Sequence, residues 1–374
     1  MGHHHHLEAP LKSPAGQVEP PYVRKIVSPP TEPGMWLSNR HRTDSTFEEI
    51  PIIDLSAAFD TDPVKRRELA DLIRDACVNV GFFYVNNHGI PDDIIAAAVE
   101  AGKRFFALPH AAKMDLDIHK TDNFKGYTAL LGENTDPNGR GDLHEGFDIG
   151  WESSSNDSSS SGGEVTAIGA MTGVNVWPPE SDLPGFKEPV LAYYHAAVGL
   201  GRLLFPLFAL ALDLSEDFFE DKTTKSAAVM RLLHYPPQNA SAIEEDGSVI
   251  GIGAHTDYEC FTILWQDSVA ALQVQNIAGK WIDAVPIPGT LVVNLGDQFA
   301  RWTNDVFKST LHRAINKSGE ERYSIPLFFG TNYDVLLEPI PSCVSEDMPA
   351  KYDVITAGEY VKSRLEATYS HSAT

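Results

Sequence analysis

His255-Thr256-Asp257 sets an imidazole two residues from a carboxylate, and His312 follows after 54 intervening residues. At the end of a strand, a period of two points His255 and Asp257 to one face, where both can reach one metal ion. Two histidines and one carboxylate form the facial triad of non-heme Fe(II) oxygenases, which leaves open coordination positions. The dipeptide pattern alone is also met by a hydrogen-bonded His-Asp pair. The same donors bind zinc with an open position, although no general base accompanies them here. Ten residues past His312, Arg322-Tyr323-Ser324 alternates a guanidinium and a hydroxyl onto one strand face. Together they can hold a carboxylate. An inward Arg322 requires an anionic partner, whereas parity also allows Tyr323 inside and Arg322 outside.

These side chains need a rigid frame, and the second half of the chain supplies one. Short β-rich runs at 228–235, 249–255, 260–266, 270–275, 280–285, 290–296, 308–315 and 322–329 are divided by Gly, Pro, Asn and Asp. Eight strands at this spacing predict an antiparallel barrel or double-sheet jelly roll. Ahead of them, Ile50 to Leu55 reads as a strand, Arg66 to Val80 as an amphipathic helix, Phe82 to Val85 as a strand, and Pro91 opens a second helix. Residues 189–213 read as a long buried helix and Lys351 to Tyr369 as a terminal one. Between Asn123 and Glu164 the chain turns to Gly, Asn, Asp and Ser, and the Ser-rich run at 153–163 reads as either a lid or an insertion. Met1 to Glu8, with four consecutive histidines, has the form of an expression tag, and the Pro-rich stretch to residue 49 that of an extended or disordered arm.

The divisions expected are therefore a tag and arm at 1–49, a mixed helical region at 50–188, a β core with its preceding helix at 189–335 and an extension at 336–374. The fold class is α+β, with a mainly β core of the distorted double-stranded β-helix kind flanked by helices. A formal charge of −23 repels phosphate backbones and anionic lipid, which argues against nucleic-acid and membrane partners. Val190 to Leu214 is apolar but carries His195, Arg202 and Pro206, which suits a core helix better than a membrane span. Three scattered cysteines, Cys77, Cys260 and Cys343, fit a reduced, cytoplasmic compartment better than a disulfide framework.

The spacing of His255, Asp257 and His312, followed by Arg322-x-Ser324, resembles the signature of the 2-oxoglutarate and Fe(II)-dependent dioxygenases of the isopenicillin N synthase-like superfamily. Ile50 to Leu55, Gly81 to Val85, Asn87-His88-Gly89-Ile90, Leu233 to Pro237 and Gly296-Asp297 resemble further motifs in family order, so the similarity runs over roughly 50–335. Arg231 to Pro237 and Ala300 to Asp305 are more similar to fungal and bacterial small-molecule oxygenases, the thymine 7-hydroxylase type included, than to plant flavonoid enzymes. At Leu233 plant members carry an Asn beside the cosubstrate.

The resemblance implies that His255, Asp257 and His312 bind Fe(II), and that Arg322 and Ser324, helped by the Tyr235 hydroxyl, grip 2-oxoglutarate. It implies O2 as the other cosubstrate and hydroxylation of a small organic molecule with release of succinate and CO2, in secondary or nucleobase or amino-acid-derived metabolism. An Asp at 257 leaves no vacancy for halide. Desaturation, oxidative cyclisation, fragmentation of 2-oxoglutarate and a 2-oxoglutarate-independent oxidase use the same ligands, and a non-catalytic metabolite sensor is the alternative of another class. For substrate, Tyr127, Glu145 and Phe147 lie in the region that covers the iron in the family. Arg231, sharing strand parity with Leu233 and Tyr235, meets either a substrate carboxylate or carbonyl or a structural ion pair.

Overall fold

Turn residues cut the second half of the chain into eight apolar runs, and the computed structural model forms a strand in each. It describes residues 46–130, 143–153, 174–226, 228–237 and 251–372. The arm up to residue 45 and the Ser-rich run from 154 lie outside these. Twelve strands are named in chain order: β1 (Ile52–Asp54), β2 (Phe82–Asn86), β3 (Gly126–Thr128), β4 (Glu145–Ile149), β5 (Ala228–Tyr235) and β6 (Ile252–His255), then β7 (Phe261–Gln266), β8 (Leu272–Gln275), β9 (Trp281–Asp283), β10 (Leu291–Leu295), β11 (His312–Ala314) and β12 (Arg322–Phe329).

They form two sheets. The larger has the order β1-β2-β10-β7-β12-β5-β4-β3 and the smaller β6-β11-β8-β9. Among the described strands, β1 and β2 form the one parallel pair, as expected for strands joined by a crossover helix. Apolar side chains from both sheets meet between them: Phe82, Tyr84 and Val292 pack with Leu272, Val274 and Ile282, and Leu233 and Tyr235 with Ala271 and Ala314. Two facing sheets with helices behind one of them form the jelly-roll class expected from the sequence, and no closed barrel is present among the described strands.

The helices fill the outer face of the larger sheet. In α1 (Pro63–Asn79), the Asp62 carboxylate caps the first turn by accepting from the Val64 N–H, and Pro63 occupies the first position. Leu69, Ile73, Ala76 and Cys77 then recur on its buried face. In α2 (Asp92–Phe106), Asp92 and Asp93 begin the helix and Lys103 and Arg104 end it, each matching the local sign of the helix dipole. The third, α3 (Lys187–Ala211), has mean hydropathy of 1.4 over its most apolar window, enough by composition and length to cross a membrane, yet 72% of that window is buried within the protein. It packs on α1, α2 and β12. Gly201 permits the closest approach, since a Cβ there would stand 2.2 Å from the Phe329 ring. Every fully buried Leu or Phe in this layer stabilises the fold by about 1.5–3 kcal/mol. Short α4 (Asp297–Trp302) follows β10, and α5 (Ala357–Ser372) ends the chain, starting six residues later than the sequence suggests.

Candidate metal centre

β6 ends at His255 and β11 begins at His312, and these two residues are direct register partners in the smaller sheet. Cross-strand partners lie on one face, so pairing alone brings the imidazoles together. Asp257 lies two residues beyond β6, in the loop that follows and not on the strand itself. Its Oδ1 stands 3.6 Å from His255 Nε2 and 3.2 Å from His312 Nε2, and one donor atom from each residue lies within 4.8 Å of the others.

Each donor is oriented by its other polar atom. His255 Nδ1 lies 2.6 Å from the Gly253 carbonyl and His312 Nδ1 3.0 Å from that of Thr310. Donation at Nδ1 leaves a lone pair on Nε2, directed at the centre. Asp257 Oδ2 accepts from the Thr262 hydroxyl at 2.5 Å and the Asn294 amide at 2.7 Å, leaving Oδ1 for the centre. Burial alone would raise the Asp257 pKa, but the two histidines beside it hold it well below the usual carboxylate range. Gly296-Asp297 anchors this loop. A Cβ on Gly296 would meet the Glu259 carbonyl at 2.1 Å, and Asp297 donates its N–H to the Asp257 carbonyl. The Asp297 carboxylate also accepts from Thr256, from Ser309 ahead of His312 and from Arg364 of α5.

Arg322 faces inward. Its register partner is Tyr235, and Ser324 pairs with Leu233, so alternation places Arg322, Ser324 and Phe328 on one face of β12. Arg322 is 2% exposed, and its guanidinium carbon stands 5.0 Å from the Tyr235 ring centroid. It donates only to neutral acceptors, the Val269 carbonyl at 3.2 Å and Gln266 Oε1 at 3.3 Å, and no carboxylate lies within ion-pair distance of it among the described residues. A buried cation left in this state fits an absent anionic ligand. The triad, in turn, offers the nitrogen and oxygen donors that suit Fe(II).

A cavity of about 100 Å³ adjoins the triad, reaching His255 and Asp257. A larger hollow of about 620 Å³ contains none of the three donors. Besides His255 and Asp257, the charged side chains in the smaller cavity's wall are Lys125, Asp148, Arg231 and Glu259, and Val361 and Leu365 of α5 line it as well. Burial lowers the Lys125 pKa to about 8, against the pull of Asp148 and Glu259, and raises that of Glu259 well above normal.

Three expected substrate residues lie elsewhere. Tyr127 and Phe147 belong to the core layer behind the larger sheet, where Phe147 meets Phe105 and Phe186. Glu145 bonds Lys113, the Tyr127 hydroxyl and His234 there. Phe147 and Ile149 turn to the helices, and Asp148 between them turns to the cavity. The alternation in Glu145-Gly146-Phe147-Asp148-Ile149 is the signal that points to Asp148. Arg231 does line the cavity, but its guanidinium makes a two-pronged pair with Asp148 at 2.7 and 2.8 Å, the structural alternative. Lys125 carries no sequence signal, since only the folded sheets bring it beside the triad, whereas Glu259 stands two residues past Asp257 in the chain.

Comparison with known families rests on the same two regions. Residues 50–180 match the family described as non-haem dioxygenase in morphine synthesis N-terminal, and residues 226–331 match the 2OG-Fe(II) oxygenase superfamily. The chain belongs to the 2OG-Fe(II) oxygenase superfamily. This oxygenase is 38% identical over 324 residues to the 2-oxoglutarate-Fe(II) type oxidoreductase hxnY of Emericella nidulans, covering 86% of this chain and 91% of the relative. Among solved structures, the Neurospora crassa thymine 7-hydroxylase in complex with alpha-KG and thymine is 30% identical with a TM-score of 0.74, covering 85% of this chain and 96% of that one. A putative 2OG-Fe(II) oxygenase family protein of Caulobacter crescentus is 29% identical with a TM-score of 0.71, over 86% and 99% of the two chains. The protein is accordingly an oxidoreductase of the 2-oxoglutarate-dependent class, with Fe(II) and 2-oxoglutarate as its cofactors.

Proposed function

We propose that this oxygenase hydroxylates a small organic molecule held in the cavity beside His255 and Asp257. The observation that carries this reading is the pairing of two features: a cluster of three metal donors of which His255 and Asp257 open on a cavity, and a buried Arg322 with no carboxylate partner among the described residues. His255 and His312 hold iron through Nε2 and Asp257 through Oδ1. Arg322, Ser324 and the Tyr235 hydroxyl receive the distal carboxylate of 2-oxoglutarate. Bound iron, 2-oxoglutarate and O2 supply the oxidising chemistry, with succinate and CO2 released. The apolar walls at Val229, Phe328 and Leu365 keep water from the reacting carbon.

A small-molecule substrate is supported by the cavity's size and by a Neurospora neighbour solved with thymine and with 5-formyluracil. The charge of −23 disfavours a nucleic-acid substrate. The mixed region at 50–188 then furnishes part of the cavity wall, through Lys125 and Asp148, and the core at 189–335 the iron and cosubstrate groups. A substrate screen following succinate, with product masses, tests the reading. A gain of one oxygen is expected with a true substrate, dependent on added 2-oxoglutarate and absent in Asp257→Ala. Loss of two hydrogens would indicate desaturation or ring closure instead, and product without 2-oxoglutarate would indicate an oxidase.

A further inference from the structure

Behind Arg322 and Tyr235, on the opposite face of the same two strands, His234 meets two carboxylates. Its Nδ1 lies 2.7 Å from Glu145 Oε2 and its Nε2 2.5 Å from Glu321 Oε1. The buried ring also stacks on Phe106 and Tyr323. Glu145 Oε1 accepts from Lys113 and from the Tyr127 hydroxyl. Burial alone would raise the Glu145 pKa, but the bonds from His234, Lys113 and Tyr127 hold it below the usual carboxylate range. An ionised carboxylate only accepts, so Nδ1 donates to Glu145. Glu321, with a side chain 46% exposed, is the matching acceptor at Nε2. An imidazole that donates at both nitrogens carries two protons and a positive charge.

This charged bridge sits beside the cosubstrate groups. His234 directly precedes Tyr235 and Glu321 directly precedes Arg322, and His234 pairs in register with Tyr323 as Tyr235 does with Arg322. His234 therefore ties β4, through Glu145, to the start of β12. Loss of one ring proton would leave a lone pair facing a carboxylate. Glu145 is buried and keeps two other donors, so Glu321 is the partner that turns to water. We propose that His234 is a positioning residue, whose charged ring holds Glu321 and thereby Arg322 in place, so that 2-oxoglutarate affinity falls as the ring loses its second proton. This rests on the reading that Arg322 and Tyr235 receive 2-oxoglutarate. The other ionisable groups around the ring are Lys113 from the turn at His110–Met114, Tyr127 and Tyr323, Lys103 of α2 over the Tyr323 ring, and Asp267, which accepts the Tyr323 N–H. Burial, aided by Glu145 and Glu321, raises both tyrosines, so neither ionises near neutral pH.

Ring-nitrogen NMR with histidine-selective labelling counts the protons on His234 between about pH 5.5 and 9, on the full chain with diamagnetic Zn(II) in place of iron. The visible band of the iron and 2-oxoglutarate complex, at saturating Fe(II), gives the 2-oxoglutarate Kd over the same range. Two ring protons are expected at the acidic end, and the Kd should rise at least about fivefold at the pH where one is lost. Glu321→Gln should remove that rise, since its amide can donate to a neutral Nε2, and His234→Gln should bind weakly at every pH. A side chain with only a packing role would give no such match between ring charge and affinity. If the His234 variant does not fold, Glu321→Gln, which moves the same ring signals, identifies them and decides alone. A single ring proton at every pH, a Kd that stays flat or changes at another pH, or a rise that survives in Glu321→Gln would overturn the proposal. The last result would point to His144, 5.7 Å from the Tyr235 ring. No band in any sample would sink the 2-oxoglutarate reading itself, whereas a band of pH-independent affinity would sink only the role of His234.

Discussion

His255 and His312 face each other as register partners across β6 and β11, with ring centroids 4.2 Å apart. The metal centre is therefore a consequence of strand pairing, and the intervening β7 to β10 are the path by which the chain returns to that pairing. Asp257 is the donor that pairing does not fix. It depends on Thr262 and Asn294, themselves register partners on β7 and β10.

Removing one of those supports should weaken the metal without unfolding the sheet. We expect Thr262→Val or Asn294→Leu to lower Fe(II) affinity about 10- to 100-fold, the usual cost of losing a group that orients a ligand. Anaerobic iron titration with a circular dichroism control measures this, and unchanged affinity would mean that Asp257 is held by the loop alone.

Arg322 lacks an anionic partner within the described residues, so its replacement should act on ligand binding more than on the fold. Arg322→Leu is expected to lose about 2–5 kcal/mol of 2-oxoglutarate binding. The ligand-free variant should be as stable as the parent or more so, because a buried cation has been removed. Melting curves with and without 2-oxoglutarate separate the two effects, since only the parent should gain stability from the ligand.

Arg231 and Asp148 form a buried pair, the Asp148 side chain being 3% exposed. Arg231→Leu should destabilise the protein by about 3–5 kcal/mol by taking the paired cation from the carboxylate, and adding Asp148→Leu should recover part of the loss. Denaturant unfolding of the single and double variants decides the matter. A stable single variant with weakened substrate binding would favour a direct substrate role for Arg231.

His88 gives a pH dependence of definite sign. Its Nδ1 accepts the Ile90 N–H at 3.0 Å in the turn after β2, and burial lowers its pKa from 6.5 to about 4. The folded protein thus keeps it neutral where the unfolded chain takes up a proton. Its contribution is intact above pH 6.5 and is lost as pH falls from about 6.5 to about 4. His88→Asn should flatten the stability profile in that window, as followed by urea unfolding at a series of pH values.

The eight strands of the core are legible because each is a short apolar run closed by turn residues, and the long helix because its polar residues are too few for a surface helix. The triad and the Arg322 face are legible because their spacing survives in sequence. The cavity wall is not. Phe147 is one residue out of phase with it, and Tyr127 and Glu145 belong to the layer behind the larger sheet, as strand parity needs the neighbouring element to say which face is inside. Glu259 and Lys125 lie 134 positions apart and meet only after both sheets form. Arg231 has the right parity, but its partner Asp148 belongs to a strand that reads as loop in the sequence.

The most direct test of the metal centre is an anaerobic Fe(II) titration with and without 2-oxoglutarate, following the visible metal-to-ligand charge-transfer band. We expect a band that needs both additions, disappears in His255→Ala and weakens strongly in Arg322→Leu. Metal binding that yields no band when 2-oxoglutarate is added, or a band that survives the loss of His255, would contradict the assignment of these residues.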